Sequence, residues 1–487
     1  MPLRPYQKEA SDAAVACFQR GTWNGLLVCP TGCHAKGTGI LMYDGTVKRV
    51  EEVHVGDMLM GIDSTPRTVL GLHHGTDEMF EIQPKKGDAF VVNGGHILSL
   101  YKTKEGERSY ELPCVDEISV YDYLKANKTY KHTHKLRKPS QIDFGKIDGI
   151  VGEPYLLGLY LGDGSLVGGC FNITTMRTEV EDYLRQFCEK CGYNLRMNQK
   201  PGNKAKTFFI TDNGTKANPN QALEWLRDIG VYGLTAGDKH IPHQYKTASV
   251  KDRYQLLAGL LDTDAWYDTR KGVFEYCTKS LVMAKDIQFV CHSLGFMCNI
   301  GKTKVVNGVN YYRMQISGDL EKIPTKVAIR QARPRKMNKS VLVTGFDVTS
   351  EGLGDYYGFT INGDHLYIDE QFFIHHNCGK SYIIADVASR LDAPLLVFQP
   401  SREILLQNYE KILNTGICDV GIYSASLGIK NIRRITLATI GSVHNHMDDF
   451  RLFKYVLVDE AHRVNAVSGM YKDYLMSRKD RCVIGLT

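Results

Sequence analysis

The chain has 487 residues, of which 43% are hydrophobic and 23% charged, a composition typical of a globular protein with two to four domains. It contains no stretch of about 18 apolar residues and no basic segment followed by an apolar one. We therefore expect neither a membrane span nor a signal peptide, and hence a cytoplasmic protein. The thirteen cysteines then indicate reduced thiols, and the net charge of +6 is too small for this length to identify a partner.

The N-terminal segment predicts a helix, a strand and the beginning of a phosphate-binding loop. A helix is expected after Gln7, and the apolar residues 26–28 predict a strand. Residues 30–32 (Pro-Thr-Gly) follow the strand as such a loop requires. The next residues should include glycine, lysine and a hydroxyl residue, but residues 33–36 are Cys-His-Ala-Lys. The loop is therefore interrupted after its first half.

The missing half lies far downstream, in the sequence HHNCGKSYIIADVASRL. Joining Gly32 directly to Cys378 gives LLVCPTGCGKSYIIADVASRL, an unbroken strand, glycine-rich loop and helix. In such a loop backbone N–H groups hold phosphate, a lysine neutralises it and a hydroxyl binds Mg²⁺. We therefore expect an ATP site with Mg²⁺ that is formed by Thr31, Gly32, Cys378, Gly379, the cation Lys380 and the hydroxyl of Ser381.

Alternating strands and helices follow the second half of the loop. Residues 393–412 predict a buried strand, a turn and a helix, and residues 453–458 predict an apolar strand that ends at Asp459 and Glu460. At the carboxyl end of a strand, Asp459 can hold Mg²⁺ and Glu460 can orient and deprotonate the attacking water. The pattern predicts an α/β fold, with helices on both faces of a parallel sheet.

The outer segments, residues 1–32 and 378–487, resemble the first RecA-like domain of DEAH-box superfamily 2 helicases. Gln7 stands where that family places the glutamine that reads adenine, and IYSASLG, GMYKDYL and VIGLT are most similar to RadD-type proteins of bacteria and phages. The resemblance implies an ATP-dependent DNA helicase in the cytoplasm of a bacterium or phage-infected cell. It stops at Thr487, before the second RecA-like domain of the family, so we expect a truncated helicase.

The 345 residues between the two halves of the loop begin with Cys33 and end with His376 and Asn377, and Cys378 follows them. The Cys33 thiol can attack the Gly32 carbonyl, Cys378 can take over the acyl group, and Asn377 can cyclise to release the block. Histidine can serve as the acid or base that each step needs. The ends of the block therefore predict its autocatalytic excision.

This central block resembles an intein. Its first residues, with Val-Gly-Asp at 55–57, match the N-terminal splicing motif of that family. NGGHILSL matches the motif whose histidine, here His96, protonates the scissile amide, and Asn93 replaces the usual threonine. The resemblance implies a horseshoe-shaped, all-β splicing domain over residues 33–150 and 338–377, in an intein that is expected to be monomeric.

The sequence DYYGFTINGDHLYIDEQFFIHHN matches the C-terminal motifs of inteins, with one departure. Gly358 stands where many members carry an aspartate that assists the downstream cysteine. His365 is the candidate to take over that role.

An internal repeat lies within the central block. YLLGLYLGDGS (155–165) and QLLAGLLDTDAW (255–266) each predict an apolar helix that ends in an acid, at Asp163 and Asp264. Glycines at equivalent positions of the two helices allow close contact, which would bring the two acids together. Paired carboxylates at a two-fold axis suit divalent metals that bridge scissile phosphates.

These repeats resemble the single-chain LAGLIDADG homing endonucleases. The resemblance implies an α+β, pseudo-two-fold nuclease over residues 151–337, with Asp163 and Asp264 as Mg²⁺ ligands. Its expected substrate is double-stranded DNA of the uninterrupted host gene. An auxiliary lysine is also expected, and Lys302 and Lys304 are candidates.

Several alternatives remain open from the sequence. The junction cysteines could pair or bind zinc, and so could Cys188 and Cys191, which form a Cys-x-x-Cys motif. The basic segments 128–140 and 322–336 fit either phosphate contact or a solvated face. The central block could be a permanent DNA-binding insertion in an ATPase, or a splicing element with a degenerate nuclease.

Overall fold

The computed structural model describes residues 3, 5–21, 24–27, 32–103, 115–146, 148–149, 151–166, 170–212, 220–301, 303–335, 337, 339–377, 380–461, 464–465, 468–478 and 480–486. Within these ranges no helix combines the length and the apolar character that crossing a membrane requires.

The chain begins with helix α1 (Pro5–Arg20) and strand β1 (Gly25–Leu27). α1 buries Ala14, Val15 and Phe18, at a spacing that places them on one face of the helix.

A mainly β segment follows, with nine strands and two short helices. Its elements are β2 (His34–Ala35), β3 (Gly39–Leu41), β4 (Val47–Arg49), β5 (Met58–Met60), β6 (Pro66–Pro84), β7 (Phe90–Asn93), β8 (Ile97–Lys102), β9 (Val115–Ser119), α2 (Val120–Lys125), α3 (Lys128–Thr133) and β10 (His134–Arg137). The two helices depart from the expected all-β domain. Each begins at a side-chain N-cap, because Ser119 and Asn127 accept hydrogen bonds from the N–H groups of Asp122 and Tyr130.

The middle of the chain contains two similar series of helices and strands. Each series begins with a helix that ends at an acidic residue. The first half is α4 (Pro154–Asp163), β11 (Gly164–Ser165), β12 (Phe171–Thr175), α5 (Thr178–Cys191), β13 (Asn194–Asn198), β14 (Lys206–Thr211) and α6 (Gln221–Asp228). After α7 (His243–Lys246), the second half is α8 (Val250–Asp264), β15 (Ala265–Asp268), β16 (Val273–Thr278), α9 (Leu281–Ser293), β17 (Met297–Ile300), β18 (Lys304–Val306) and β19 (Val309–Ser317). Each half forms one antiparallel sheet, in the orders β11-β12-β14-β13 and β15-β16-β19-β17, with β18 also on β19.

Helices α4 and α8 pack directly on each other, backbone against backbone. A Cβ on Gly158 would lie 2.7 Å from the Leu260 nitrogen, and a Cβ on Gly259 would lie 3.0 Å from Gly158 Cα. Real Cβ atoms do not approach so closely, so the crossing requires glycine at both positions. The crossing places the ends of the two helices, and hence Asp163 and Asp264, side by side.

The chain then returns to the β segment through four strands, β20 (Val343–Thr344), β21 (Phe346–Ile361), β22 (Leu366–Ile368) and β23 (Ile374–His376). β21 pairs along its whole length with β6. Both strands belong to a five-stranded sheet in the order β21-β2-β7-β6-β5. A second sheet has the order β20-β10-β8-β23-β22, with β9 on β8. β10 and β20 are antiparallel neighbours, with Leu136 opposite Thr344, so the whole repeated region connects two adjacent strands.

The C-terminal elements are α10 (Lys380–Arg390), β24 (Leu395–Phe398), α11 (Arg402–Leu413), β25 (Val420–Ser424), β26 (Ile429–Lys430), β27 (Ile435–Ala438), α12 (Ile440–His444), β28 (Tyr455–Asp459), α13 (Met470–Met476) and β29 (Cys482–Leu486). Short 3-10 turns occur at Val50–Glu52, Leu320–Lys322, Ala328–Arg330, Ala425–Leu427 and Met447–Phe450.

Strands from both ends of the chain share one sheet, in the order β1-β29-β28-β24-β27-β25-β26. All neighbouring strands are parallel except β25 and β26. Alternate residues of β24 face two different cores: Leu395 and Val397 pack with α1 and α10, whereas Leu396 and Phe398 pack with α12 and α13. The sheet therefore has helices on both faces, the α/β arrangement that the sequence predicted.

Candidate functional site

The amide nitrogen that splicing would cut, that of Cys33, is held by Asn93. The Cys33 N–H donates to Asn93 Oδ1 at 3.0 Å, and the Asn93 N–H donates to the Cys33 carbonyl at 3.1 Å. Asn93 Nδ2 in turn donates to Asp77 Oδ2 at 3.1 Å, which fixes the orientation of the amide. Cys33 and Asn93 are both buried. Asn93 therefore accepts the N–H of the nitrogen at the expected N-terminal junction, and its polarising role stays a prediction.

The two ends of the central block lie against each other. A Cβ built on Gly32 would lie 3.2 Å from the His376 carbonyl oxygen and 3.4 Å from His96 Nδ1. Gly32 belongs to the N-terminal junction and His376 to the C-terminal one. The contact therefore brings both junctions and the expected acid, His96, into one buried centre.

Gly358 leaves room for the nucleophile. A Cβ at Gly358 would overlap Cys33 Sγ and would lie 3.2 Å from Cys33 Cβ. The Cys33 thiol occupies the volume that an aspartate side chain would need, which accounts physically for the departure seen in the sequence.

His96 is the first member of a buried chain of hydrogen bonds. His96 Nε2 lies 3.1 Å from His375 Nδ1, and His375 Nε2 lies 3.2 Å from Asp369 Oδ2. The Asp369 carboxylate also accepts hydrogen bonds from the N–H groups of Gln371 and Phe373. The carboxylate therefore acts as the acceptor in all three of these hydrogen bonds. If His375 is neutral, it donates from Nε2 to Asp369 and accepts at Nδ1, and His96 then carries its proton on Nε2. This tautomer leaves the lone pair of His96 on Nδ1, which faces Gly32.

Burial favours the neutral form of His34 and His96. The pKa values of His34 and His96 lie well below the ordinary histidine value, because both rings are desolvated and face other imidazoles. His34 Nε2 is 2.7 Å from the Tyr367 hydroxyl, and one nitrogen of each of His34, His96 and His375 lies within 4.8 Å of the others. His34 and His375 were not singled out from the sequence, although each directly adjoins a junction residue that was.

The C-terminal junction is held by backbone carbonyls. The Asn377 N–H donates to the His365 carbonyl at 2.8 Å, and Asn377 Nδ2 donates to the Phe359 carbonyl. His376 Nε2 lies 3.6 Å from Glu117 Oε1. His365 is thus next to Asn377, while the predicted nucleophile Cys378 lies outside the described residues.

A second centre lies where α4 and α8 end. Partial burial and the neighbouring charge of Asp264 raise the pKa of Asp163 to about 6. Partial burial of its carboxylate also raises the pKa of Asp264, although part of the side chain is exposed to solvent. The Tyr276 hydroxyl donates to Asp264 Oδ2 at 3.4 Å. Two carboxylates that repel each other in a partly desolvated cleft are typical of functional sites.

Lys239 lies beside these acids, and the sequence did not indicate it. Its Nζ donates to the carbonyls of Tyr160, Gly162 and Gly164 at 2.9–3.1 Å. Burial lowers the pKa of Lys239 to about 8, although Asp264 and Asp163 act in the opposite direction. Lys239 is therefore a basic residue close to both acids, held by three backbone carbonyls.

Other candidates for this region fit less well or have different surroundings. Lys304 is exposed on β18, and Lys302 lies outside the described residues. Arg330, in the basic segment 322–336, donates to the Thr263 carbonyl at 2.5 Å and lies close enough to Asp163 and Asp264 for their charges to act on it. In the other basic segment, Lys138 is buried, with its Nζ 4.5 Å from the centre of the Phe373 ring.

The Cys-x-x-Cys motif gives little support to a zinc site. Burial and the neighbouring Cys191 raise the pKa of Cys188 to about 11, which disfavours the thiolate that zinc requires.

The donor set at α4 and α8 fits a hard divalent cation. Asp163 and Asp264 offer carboxylate oxygens, the ligands that Mg²⁺ prefers. The mutual repulsion that raises the pKa of Asp163 is what a bound cation would relieve.

The carboxylates of the expected ATP site lie at the end of β28. Asn408 Nδ2 lies 3.4 Å from Asp459 Oδ2, and the Glu460 N–H donates to Asp459 Oδ1 at 3.1 Å. Glu460 Oε2 lies 3.7 Å from Nδ1 of His73, a residue of β6. The side chain of Glu460 therefore contacts the central block.

The remaining residues of that site are only partly described. Gln7 is buried on α1, and Lys380 and Ser381 form the first turn of α10. Thr31, Cys378, Gly379 and the side chains of Lys380 and Ser381 lie outside the description, so their predicted roles stay predictions.

Comparison with known proteins gives two family matches. Residues 33–144 match the family described as "Hom_end-associated Hint", and residues 368–487 match the family described as "Type III restriction enzyme, res subunit".

Curated relatives include the catalytic subunit of the V-type proton ATPase of Candida tropicalis, 21% identical over 83% of this chain and 49% of that protein. The replicative DNA helicase DnaB of Mycobacterium intracellulare is 26% identical over 53% of this chain and 42% of that protein. The chain thus spans less than half the length of either relative.

Among solved structures, mesophilic variants of the homing endonuclease I-DmoI give a TM-score of 0.26 at 12% identity, over 34% of this chain and 87% of that one. The gp41-1 intein gives a TM-score of 0.14 at 16% identity, over 18% of this chain and 59% of that one. The first family match lies within the expected splicing domain, and the second covers residues 378–487 of the expected host together with the ten residues before them. These matches confirm the resemblance to an intein with a homing endonuclease in a helicase-like host.

Proposed function

We propose that the chain excises its own central block and joins Gly32 to Cys378. In this proposal residues 33–150 and 338–377 form the splicing domain, residues 151–337 form the nuclease, and residues 1–32 and 378–487 form the host. The observation that carries the proposal is the contact of Gly32 with His96 and the His376 carbonyl. Splicing must join residues from the two junctions, and these residues lie side by side.

The N-terminal step follows from the tautomer of His96. Its Nδ1 lone pair takes the Cys33 thiol proton, the thiolate attacks the Gly32 carbonyl carbon, and the Gly32–Cys33 C–N bond breaks. The same proton passes from Nδ1 to the leaving nitrogen, whose N–H is held by Asn93. His96 thus acts first as a base and then as an acid.

The later steps depend on the C-terminal junction. The Cys378 thiol takes the acyl group from Cys33, Asn377 Nδ2 attacks its own carbonyl carbon, and the bond to Cys378 breaks. The freed amine of Cys378 then displaces its own sulfur to give the Gly32–Cys378 peptide. The hydrogen bonds of Asn377 to His365 and Phe359 hold its amide in place for cyclisation.

Expression of the chain should yield a free 345-residue block and a ligated 142-residue product, which intact-mass measurement distinguishes. Asn377→Ala should stop release of the C-terminal piece but leave thiol-dependent cleavage after Gly32 unchanged, because cyclisation comes later. Persistence of both the native and Asn377→Ala chains at full length in added thiol would contradict splicing and favour a permanent insertion.

Asp369→Asn should slow the N-terminal step by about 10²-fold, the lower end of what general acid–base catalysis supplies. An asparagine amide would donate to His375 Nε2, reverse the tautomer of His375 and place a proton on His96 Nδ1. The rate of dithiothreitol-induced cleavage after Gly32, measured in Asn377→Ala chains, tests this. Asp347→Asn, an exposed substitution on β21, is the matched control, and equal rates for the two variants would rule out the relay.

We infer that the second centre cuts double-stranded DNA at the uninterrupted host gene. Asp163 and Asp264 would hold Mg²⁺, which when bound would neutralise charge on the scissile phosphate. Lys239 is close enough to both acids to place a positive charge beside the phosphate, and a pKa of about 8 allows it to give up a proton near neutral pH. This centre, with its two acids and one buried lysine, argues against a degenerate nuclease.

Asp163→Asn and Asp264→Asn should each abolish cutting of a plasmid that encodes the uninterrupted Pro-Thr-Gly-Cys-Gly-Lys-Ser loop, and Lys239→Met should slow it about 10²-fold. Splicing should proceed normally in all three variants. In the native protein, Mg²⁺ binding should weaken as the pH falls through about 6, where Asp163 takes up a proton. An excised block that leaves this plasmid intact would support the degenerate alternative.

For the host we propose an ATP site that is completed only by splicing. In the chain as it stands, Gly32 lies in the splicing centre and Glu460 contacts His73. Excision removes His73 and returns Gly32 to the loop with Lys380. DNA is the proposed partner of the spliced host, in keeping with its helicase relative.

The ligated product should bind Mg-ATP at least about tenfold more tightly than a splicing-blocked Cys33→Ala, Asn377→Ala chain, a difference of about 1.4 kcal/mol. Isothermal titration with a non-hydrolysable ATP analogue measures both affinities. Lys380→Ala in the product should remove binding, whereas Lys430→Ala, on an exposed strand of the same sheet, should not. Equal affinity of product and blocked chain would refute control of the site by splicing.

A further inference from the structure

Host helix α11 packs against the splicing domain along one face. Gln407 Nε2 donates to the Ile361 carbonyl at 3.2 Å, Ile404 Cδ1 would lie 3.8 Å from a Cβ on Gly71, and Lys411 Nζ hydrogen-bonds to His365 Nε2. Positions 404, 407 and 411 follow the spacing of one helix face. A host element beyond the junction therefore reaches a residue that holds Asn377.

Further contacts hold both Lys411 and His365 in place. His365 is 1% exposed, and its φ of 65° places it in the left-handed region, a conformation that non-glycine residues rarely adopt. The adjacent Asp364 accepts from Arg67 Nε at 2.8 Å, which anchors this turn. Lys411 Nζ also lies 4.3 Å from the ring centre of Tyr382, which is on α10, directly after the junction.

The contact determines which nitrogen of His365 carries a proton. An ammonium can only donate, so Nε2 of His365 must accept and Nδ1 must hold the hydrogen. The positive charge of Lys411 also opposes a second positive charge on the ring. Lys411 therefore favours one neutral tautomer of His365, and the carbonyl of that residue holds the Asn377 N–H at 2.8 Å.

We propose that Lys411 of the host is a positioning residue for Asn377 cyclisation, acting through His365, so that release of the C-terminal junction waits until α11 has docked. This inference rests on the proposed splicing function. In the step concerned, the bond between Asn377 Nδ2 and its own carbonyl carbon forms and the bond to the nitrogen of Cys378 breaks. Nδ2 loses one proton and the leaving nitrogen gains one, so no further reactant is needed.

The test isolates the C-terminal step in full-length chains that carry Cys33→Ala, where only cyclisation can cleave. Adding Lys411→Met should slow release of the host piece about tenfold or more, whereas Lys411→Arg, which keeps a donor and a charge, should restore much of the rate. Lys430→Met is the matched control on the host surface. In Asn377→Ala chains, Lys411→Met should leave thiol-dependent cleavage after Gly32 within about twofold of its normal rate.

A pH profile separates positioning from mere packing. In the part of the chain that the structure describes, the charged or titratable groups around His365 include Lys411 and Tyr382 from the host, His376 with its neighbour Glu117, and Asp364 paired with Arg67. Without the Lys411 ammonium, His365 is easier to protonate. In Lys411→Met chains, the inflection at lower pH in the plot of C-terminal cleavage rate against pH should therefore move to higher pH.

The possible outcomes distinguish this inference from the function on which it rests. Equal slowing of both junctions by Lys411→Met, no slowing at all, or an unmoved inflection would each overturn the role of Lys411 while leaving splicing intact. Failure of the Cys33→Ala chain to cleave at Asn377 under any condition would overturn the splicing proposal itself, and this inference with it.

Discussion

The close approach of Gly32 to the His376 carbonyl and to His96 is the constraint on which the rest of the molecule depends. It is possible only because strands from both ends of the central block are interleaved. β2 lies between β7 and β21, and β23 lies between β8 and β22. A Cβ on Gly32 would lie 3.2 Å from the His376 carbonyl oxygen and 3.4 Å from His96 Nδ1, so a side chain there would push against both groups and force small shifts.

The same glycine has a second place in the proposed host. In the proposed phosphate-binding loop, Gly32 would be joined to Cys378 in a continuous turn, whereas in the present structure it lies beside His96. Strand β1 already pairs with β29, with Leu27 opposite Leu486. If splicing occurs, ligation therefore has to close a loop on a parallel sheet that has already formed.

Features that depend on a short motif or on a repeated pattern could be predicted from the sequence. The helices that end at Asp163 and Asp264 follow from an apolar pattern and from its recurrence, and the role of Asn93 follows from a short motif. The relay from Asp369 through His375 to His96 joins residues 279 positions apart, and no periodicity or spacing signals such a contact. The sequence did not indicate Lys239 or Lys411 for the same reason. Lysine is ordinarily a surface residue, and only the folded structure shows that these two contact buried or candidate catalytic groups.

The place at which the nuclease enters the splicing domain has a consequence for how such a molecule can arise. Because β10 and β20 are antiparallel neighbours, with Arg137 opposite Val343, the nuclease occupies the position of a hairpin turn. The entropy of closing a chain rises only with the logarithm of its length, so exchanging a few-residue turn for a folded domain costs about 0.6 kcal/mol per doubling. Arg253 Nη2 donates to the Ile142 carbonyl at 2.6 Å, and Phe289 packs against Phe144 and Phe372, so the inserted region also shares an apolar contact with the segments that flank it. We expect that an architecture of this kind can acquire or lose the inserted region as a unit, without changing the pairing of β10 with β20.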